Sequence, residues 1–218
     1  MQAPSYDDRV TIARLSRREL NKVRTREAIV AAVRALAETA PITDVTAEQV
    51  AERAGISRRT FFNYFTGVDA VISHVLGELV SGLAGPLLAR PTDEQPFASV
   101  QAVLTDDALR PLLTWVATLG AHRVGADEGT VDRIAAGIWQ NQGARLRGVI
   151  AQRVGRPLDD LYVTTLAVTL MTLFDCVSQE WTEDLRGRTS LRAKDITDFR
   201  TRLHTALDYA SSGWAPTR

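Results

Sequence analysis

Apolar residues recur every three or four positions along most of the chain, which is the spacing of one face of an amphipathic helix. Alternation of apolar and polar residues, the pattern of a half-buried strand, does not extend over any length of the sequence. Proline, glycine and polar clusters interrupt the helical pattern at intervals. The pattern therefore predicts an all-α protein of about nine helices.

The interruptions divide the chain into a small N-terminal part and a larger helical bundle. We predict an arm and a three-helix domain over residues 1–67, and a bundle over 68–218. The first helix is expected near 22–38, and two short helices within 46–65. Further helices are predicted at 68–83, 97–104, 106–119, 130–154, 158–183 and 193–210. Residues 85–86 (Gly-Pro) are expected to loosen the chain, with loops at 90–96, 120–129 and 185–192.

The most informative local pattern lies between Thr46 and Phe65. Thr46 is a good N-cap, and Gln49 three residues later completes a capping box. Gly55 can adopt the left-handed conformation that ends a helix, and Ser57 is a second N-cap. This pattern predicts two short helices joined by a tight turn, as in helix-turn-helix proteins.

Basic and amide side chains lie on the outward side of the second short helix. The side chains spaced to face inward are Phe61, Tyr64 and Phe65, which leaves Arg58, Arg59, Thr60 and Asn63 facing out. One alternative is a surface hairpin with a solvated charged face. The agreement of caps, turn and basic residues favours a helix that enters a DNA major groove.

Over about residues 24–72 the chain resembles the tetracycline-repressor (TetR) family of transcription regulators. The matching positions are Arg26, Ile29 and Ala32, then Val45-Thr46 and Val50-Ala51, then Ala54-Gly55-Ile56-Ser57, Thr60-Phe61-Phe62 and Phe65. The resemblance implies a DNA-binding regulator, most often a repressor. It also implies a homodimer on a palindromic operator and a small-molecule effector bound in the larger domain.

Several positions depart from the pattern of the family that the chain resembles, among them Phe62, Val68 and Arg59. Phe62 stands where the family often has a tyrosine whose hydroxyl contacts phosphate, and Val68 replaces a frequent lysine. Arg59 stands where the family commonly has glycine. We therefore expect affinity for DNA to depend more on Arg58, Arg59 and the basic N-terminal segment.

Ten residues are expected to contact DNA. The two arginines that open the second short helix are the best candidates for guanine, because a guanidinium fork matches the O6 and N7 acceptors. The helix caps can hold phosphates, Thr60 suits a thymine methyl or a phosphate, and basic residues of the first helix would meet phosphates. The full set is Lys22, Arg24, Arg26, Thr46, Ser57, Arg58, Arg59, Thr60, Asn63 and Tyr64.

Charge is distributed unevenly, although the formal net charge is zero. Residues 9–34 contain eight Lys or Arg and two Glu, whereas residues 76–218 contain 15 Lys or Arg and 17 Asp or Glu. A basic N-terminal third suits a protein that meets DNA at one end. Residues 1–20 are expected to form a flexible or loosely helical arm, either a solvated tail or a segment that reaches the DNA backbone or minor groove.

The larger domain is expected to supply a dimer interface and a ligand pocket. A two-fold operator requires a two-fold protein, and the last two long helices are the expected interface, although the first of them also suits a central core helix. Aromatic residues with a few polar groups are typical of small-molecule sites, and also of plain cores. The candidate ligand-binding residues are Trp115, His122, Trp139, Gln142, Met171, Phe174, Asp175 and Trp181.

The single cysteine and the apolar runs bear on location. Cys176 has no partner for an intramolecular disulfide, which fits a reducing cytoplasm, and its apolar helix favours a buried thiol. The run from Tyr162 to Phe174 is too short to span a bilayer and is expected to be a buried helix. The N-terminus shows no signal peptide, so a cytoplasmic protein is expected.

No motif points to catalysis, a metal or a cofactor. His74, His122 and His204 are isolated, and no phosphate-binding loop, nucleophile elbow or dinucleotide fingerprint occurs. We therefore expect no enzyme, although distant residues can cluster in three dimensions. A third alternative is a helical ligand-binding or adaptor protein whose helix-turn-helix has lost DNA binding.

Overall fold

The computed structural model describes residues 16–121 and 128–214, and over 128–139 only the course of the backbone. Every regular element in these ranges is helical, so the all-α prediction is confirmed. The N-terminal domain contains α1 (Arg17–Ala37), a 3-10 turn (Ile42–Asp44), α2 (Ala47–Arg53) and α3 (Arg58–Phe62). The C-terminal bundle contains α4 (Val68–Gly82), α5 (Ala84–Leu88), α6 (Pro96–Val103), α7 (Asp106–Gly120), α8 (Glu128–Val154), α9 (Leu161–Leu185) and α10 (Ala193–Ser211).

The first helix begins earlier than the apolar spacing predicts. Ser16 caps α1 through a capping box, in which the Ser16 hydroxyl accepts from the Glu19 amide at 3.3 Å and the Glu19 carboxylate accepts from the Ser16 amide at 2.8 Å. The end of the predicted flexible arm, residues 17–20, is therefore the first turn of α1. The rest of that arm, residues 1–15, lies outside the described residues.

A short helix also replaces the loose segment expected at Gly85-Pro86. The chain passes from α4 into α5 with Pro86 inside its first turn. Proline is tolerated there because the first amides of a helix have no intrahelical acceptor. The other predicted helices end within a few residues of their expected bounds, and α9 begins at Leu161 because the Asp160 carboxylate accepts from the Tyr162 amide at 2.8 Å.

The described residues pack into two apolar cores. The core of the C-terminal bundle is formed mainly by α7, α9 and α10, with Leu113, Trp181 and Phe199 fully buried. The N-terminal domain packs around Ile29 and Phe61, but its core also takes in residues of α4 and α7. The two cores meet at Phe174, which contacts both. The N-terminal domain is therefore packed onto the bundle over an apolar surface rather than tethered to it.

Three carboxylates tie the ends of the bundle helices together. The Glu94 carboxylate accepts from the Arg90 guanidinium and from the Ser99 hydroxyl, and these bonds lower the pKa of Glu94 to about 2. Asp106 on α7 accepts from Thr197 and Arg200 on α10, at 2.7 and 2.6 Å. Asp195 accepts from two arginines of the 186–192 loop, Arg192 and Arg188, and these bonds hold its pKa below the usual range.

Acidification is expected to weaken the fold through Glu94 as the pH falls from the ordinary carboxyl pKa of 4.5 to about 2. A carboxyl whose folded pKa lies below its unfolded value stabilises the fold fully above the unfolded value, and that contribution is lost as the pH falls through the folded value. Denaturant unfolding between pH about 7 and about 2 should therefore show a shallower acid slope in Glu94→Gln than in the parent chain. Asp93→Asn, at an exposed neighbouring position, is the control and should keep the parent slope. Equal slopes in Glu94→Gln and the parent would contradict this role.

Two helical stretches, Val68–Leu88 and Leu161–Leu185, are long and apolar enough to cross a bilayer by length and composition. The second is α9, whose whole length exceeds the short apolar run noted in the sequence. Residues of α4 and α9 pack into the two cores described above. Packing within the bundle thus accounts for part of their apolar character.

Candidate nucleic-acid interface and ligand cavity

The turn between α2 and α3 has the predicted geometry. The Thr46 hydroxyl accepts from the Gln49 amide at 3.2 Å, and the Gln49 side chain accepts from the Thr46 amide at 2.8 Å, which completes the capping box. Gly55 has a φ of +68°, in the left-handed region that favours glycine. The Ser57 hydroxyl then accepts from the Thr60 amide at 3.0 Å and opens α3.

Buried aromatic residues fix the orientation of α3. The Phe61 side chain has no exposed surface, and Phe65 packs nearby with ring centroids 6.4 Å apart. Ala51 of α2 is buried, and its small side chain suits the close crossing of the two helices. The opposite side of α3 consequently faces away from the core.

Arg58 has intramolecular contacts that the sequence did not indicate. Its guanidinium forms an ion pair with the Glu48 carboxylate on α2 and lies 5.2 Å from the centre of the Phe62 ring. Both charged side chains remain more than half exposed, and exposed pairs of this kind contribute about 0–1 kcal/mol. Arg58 can therefore exchange Glu48 for a phosphate or a base at little cost.

The Arg59 side chain has fewer contacts than that of Arg58. It is exposed, and none of the described residues forms a hydrogen bond or ion pair with it. Asn63, at the end of α3, is also exposed. Tyr64 is only half-buried and packs against the N-terminal core, and the Thr60 hydroxyl lies 2.8 Å from the Ser57 hydroxyl. Arg59 and Asn63 are thus exposed residues whose side-chain polar groups form no hydrogen bond with the described residues.

The basic residues of α1 do not form a single patch. Lys22, Arg24 and Arg26 are all exposed. Lys22 and Arg26 are four residues apart and share one face of α1, whereas Arg24 lies on another. Lys22 and Arg26 can therefore meet one stretch of phosphate backbone together.

The C-terminal bundle contains a partly open apolar cavity of about 250 Å³. Its wall is drawn from α4 to α10, and it reaches the N-terminal domain at Ile42 in the 3-10 turn. Most of the wall is Leu, Val and Ile; the polar side chains are Gln142, Asp175, Ser178, Gln179 and Thr182. A cavity of this kind, largely apolar with a few polar groups, is typical of small-molecule sites.

The structure brings four of the predicted ligand-binding residues to this wall: Gln142, Met171, Phe174 and Asp175. Two tryptophans lie elsewhere. Trp115 is buried in the core of the N-terminal domain, and Trp181 is buried in the bundle, where its indole donates to the Asp195 carbonyl at 2.8 Å. His122 and the side chain of Trp139 lie outside the described residues.

The aliphatic wall of the cavity was missed by reasoning from sequence. Leu83, Val100, Val149 and Leu203 line it, yet each also fits an ordinary helical core position. Ile42 was missed as well, because its local sequence is that of an apolar residue packed inside a turn. The only usable sequence signal was a polar or sulfur-containing residue within an apolar helix, as at Gln142 and Met171.

An exposed stripe runs along α9 on the side away from the core. Leu161, Thr165, Val168, Thr172 and Cys176 are all exposed and recur at helical spacing. The expectation of a buried Cys176 is therefore wrong, because that position lies on the outer face of the apolar helix. The neighbouring helix α10 also has a series of exposed side chains, of which Tyr209 is the largest.

The geometry defines a class of protein: a capped helix-turn-helix joined to a helical bundle with an internal apolar cavity. Residues 29–75 match the family model for bacterial regulatory proteins of the tetR family. A search of curated proteins finds no match. The N-terminal domain is therefore a tetR-family domain, which confirms the family resemblance seen in the sequence.

Solved structures support the same fold over nearly the whole chain. FadR of Thermus thermophilus, a TetR-family transcriptional repressor solved with lauroyl-CoA, is 20% identical with a TM-score of 0.53; the match covers 88% of this chain and 96% of FadR. A protein of Pseudomonas aeruginosa PAO1 assigned as a transcriptional regulator is also 20% identical, with a TM-score of 0.50 and coverage of 92% and 94%. The chain thus has the fold of a TetR-family transcriptional regulator.

Proposed function

We propose that this protein is a ligand-responsive repressor that binds a palindromic operator as a homodimer in the cytoplasm. The observation that carries the proposal is the shared cavity wall. One cavity is lined by Ile42 of the N-terminal domain and by residues of every helix of the bundle. A ligand in this space contacts both parts of the molecule at once.

Recognition of DNA is assigned to α3. Arg59 and Asn63 are free to meet base edges, and Arg58 leaves Glu48 to join them. Thr46, Ser57 and Thr60 lie at the starts of α2 and α3 and, with Lys22 and Arg26, fit phosphate contacts that fix the register. A second copy of α3 is needed for affinity, because one short helix contacts few bases.

The exposed stripe on α9 is the proposed dimer interface, together with α10. Leu161 and Val168 are 78% and 59% exposed in the single chain, and an apolar surface of this kind is stabilised when a second copy covers it. The stripe runs along one helix face, so two chains can pack α9 and α10 as a four-helix bundle.

The ligand response is assigned to the cavity. Ile72 and Leu76 of α4 line it, and α4 follows directly from the helix-turn-helix. A ligand that changes the packing of α4 changes the separation of the two recognition helices. Thermodynamic linkage then requires DNA to weaken ligand binding by the same factor. The lauroyl-CoA bound to FadR supports a small-molecule effector here.

The second candidate is a ligand-binding or adaptor protein that no longer binds DNA. Phe62, an exposed apolar residue at the tip of the helix-turn-helix, is the observation that favours it. The hypothesis of a DNA-binding regulator accounts better for the exposed Arg59 and for the exposed basic residues of α1.

Mobility-shift titration against DNA from the regions flanking the coding sequence tests the regulator reading. The affinity for a two-fold site should fall steeply as salt rises, because phosphate contacts release counterions. Arg59→Ala should lose about 1–3 kcal/mol of preference for the operator over a scrambled sequence, whereas Arg110→Ala removes an exposed cation of α7 and should bind like the parent. An unchanged operator preference in Arg59→Ala would refute its assignment to base reading, and absence of any salt-dependent DNA binding would favour the adaptor.

A further inference from the structure

Most of the hydrogen-bond donors in the cavity wall are already engaged, and what remains is the second N–H of each glutamine amide. The Ser178 hydroxyl donates to the Phe174 carbonyl at 2.7 Å, and the Thr182 hydroxyl donates to the Ser178 carbonyl at 2.8 Å. The Gln179 amide nitrogen donates to the Asp175 carboxylate at 2.9 Å. What these side chains leave for a ligand is mainly acceptor oxygen.

Gln142 adds an acceptor that is buried and unpaired. Only 3% of Gln142 is exposed, and its Oε1 has no hydrogen-bond partner among the described residues. Its Nε2 donates to the Ser73 carbonyl at 3.1 Å, which fixes the amide orientation because a carbonyl accepts only from the NH₂ group. A buried acceptor without a partner destabilises the folded chain, and a ligand donor is the group that would satisfy it.

The described part of the same wall carries no positive charge. None of the described residues that line the cavity is Lys or Arg, and Asp175 is a carboxylate. An anionic head group would meet acceptor oxygens there without a compensating cation. The wall thus discriminates against acids in their ionised form.

We propose that the cavity takes an apolar ligand whose head group is a hydrogen-bond donor, such as a hydroxyl, and that Gln142 Oε1 accepts from it. The proposal rests on the cavity being the effector site of the proposed function. The aliphatic wall binds the hydrocarbon part, and Gln142 selects the head group. Anionic amphiphiles of the same length are poor ligands.

Gln142 also links this contact to the helix that follows the DNA-binding domain. Its Nε2 bonds the Ser73 carbonyl of α4, and the adjacent Asn141 donates to the Ser73 hydroxyl at 3.0 Å. A head group that donates to Oε1 therefore contacts Gln142, whose Nε2 bonds α8 to α4. The side chain that recognises the ligand is thus the one placed to transmit its binding.

Two isomeric probes isolate the donor. 1-Decanol and methyl nonyl ether have the same atoms, but only the alcohol can donate a hydrogen bond. Calorimetric titration of the full chain without DNA should show that 1-decanol binds about tenfold more tightly than the ether. Ionised decanoate should bind more weakly than the alcohol by at least about the same factor.

The variant Gln142→Met, of similar volume, should lose the preference for the alcohol, while Gln152→Met makes the same change at an exposed position of α8 outside the cavity wall and should keep it. Equal affinity for the two isomers in the parent chain, no binding of 1-decanol, or a preference that survives in Gln142→Met would each overturn the proposal. Operator binding, measured in parallel, distinguishes failure of the donor-selective cavity from failure of the proposed regulator function. Lost DNA binding with an intact alcohol preference would refute the regulator and keep the donor-selective cavity.

Discussion

Val168→Asp should convert a dimer into a monomer without unfolding the chain. Val168 is 59% exposed in the single protomer, so the substitution is tolerated by the isolated fold. In the proposed interface it would place a carboxylate in a desolvated apolar surface, and the two-fold axis would do so twice. The change acts on association rather than on folding.

Light scattering after size exclusion measures the molecular mass directly, and operator titration measures the effect on DNA affinity. Loss of the second recognition helix should reduce operator affinity by at least about a hundredfold, since linked sites commonly gain 10²–10⁴. Ala98→Asp introduces the same charge at an exposed position on α6 and should remain dimeric. A Val168→Asp protein that is still dimeric would place the interface elsewhere.

Phe61→Ala should destabilise the N-terminal domain by about 3–5 kcal/mol. The Phe61 ring is fully buried and contacts Phe62 edge to face, with centroids 5.3 Å apart. Its removal leaves a cavity under α3, so the recognition helix loses the surface that orients it. DNA binding should be lost in the variant under conditions where the bundle remains helical and dimeric.

Phe62→Ala provides the matched comparison, because the neighbouring ring is 44% exposed. Truncation there removes little buried surface and should cost less than about 1 kcal/mol. Chemical denaturation followed by circular dichroism gives both free energies of unfolding. Similar losses in the two variants would show that Phe61 does not anchor α3.

Local signals allowed the helix-turn-helix to be predicted residue by residue. The Thr46 capping box, the left-handed Gly55 and the Ser57 cap each depend on a few adjacent residues, and each has the expected geometry. Family resemblance pointed to the same segment. The bounds of the longer helices followed for the same reason, since caps and helix-stopping residues are local.

The features that could not be predicted from the sequence are those that depend on tertiary contacts. The Glu48 partner of Arg58 depends on how α2 crosses α3, and the exposure of Cys176 depends on which side of α9 faces the core. The cavity is bounded mostly by aliphatic residues that would fill a solid core if the helices lay closer together. Trp115 and Trp181 suited a ligand site by type, but their positions place them in the two cores.

The apolar packing of α4 and α7 against the N-terminal domain restricts how this protein can be recombined with others. Leu112 and Trp115 of α7 complete the same core as Phe61 and Val71. A chimera that joined residues 1–67 to a foreign effector domain would leave that core open to water. Exchange of operator specificity between proteins of this fold should therefore succeed by replacing the outward side chains of α3, and fail when the whole segment is transplanted.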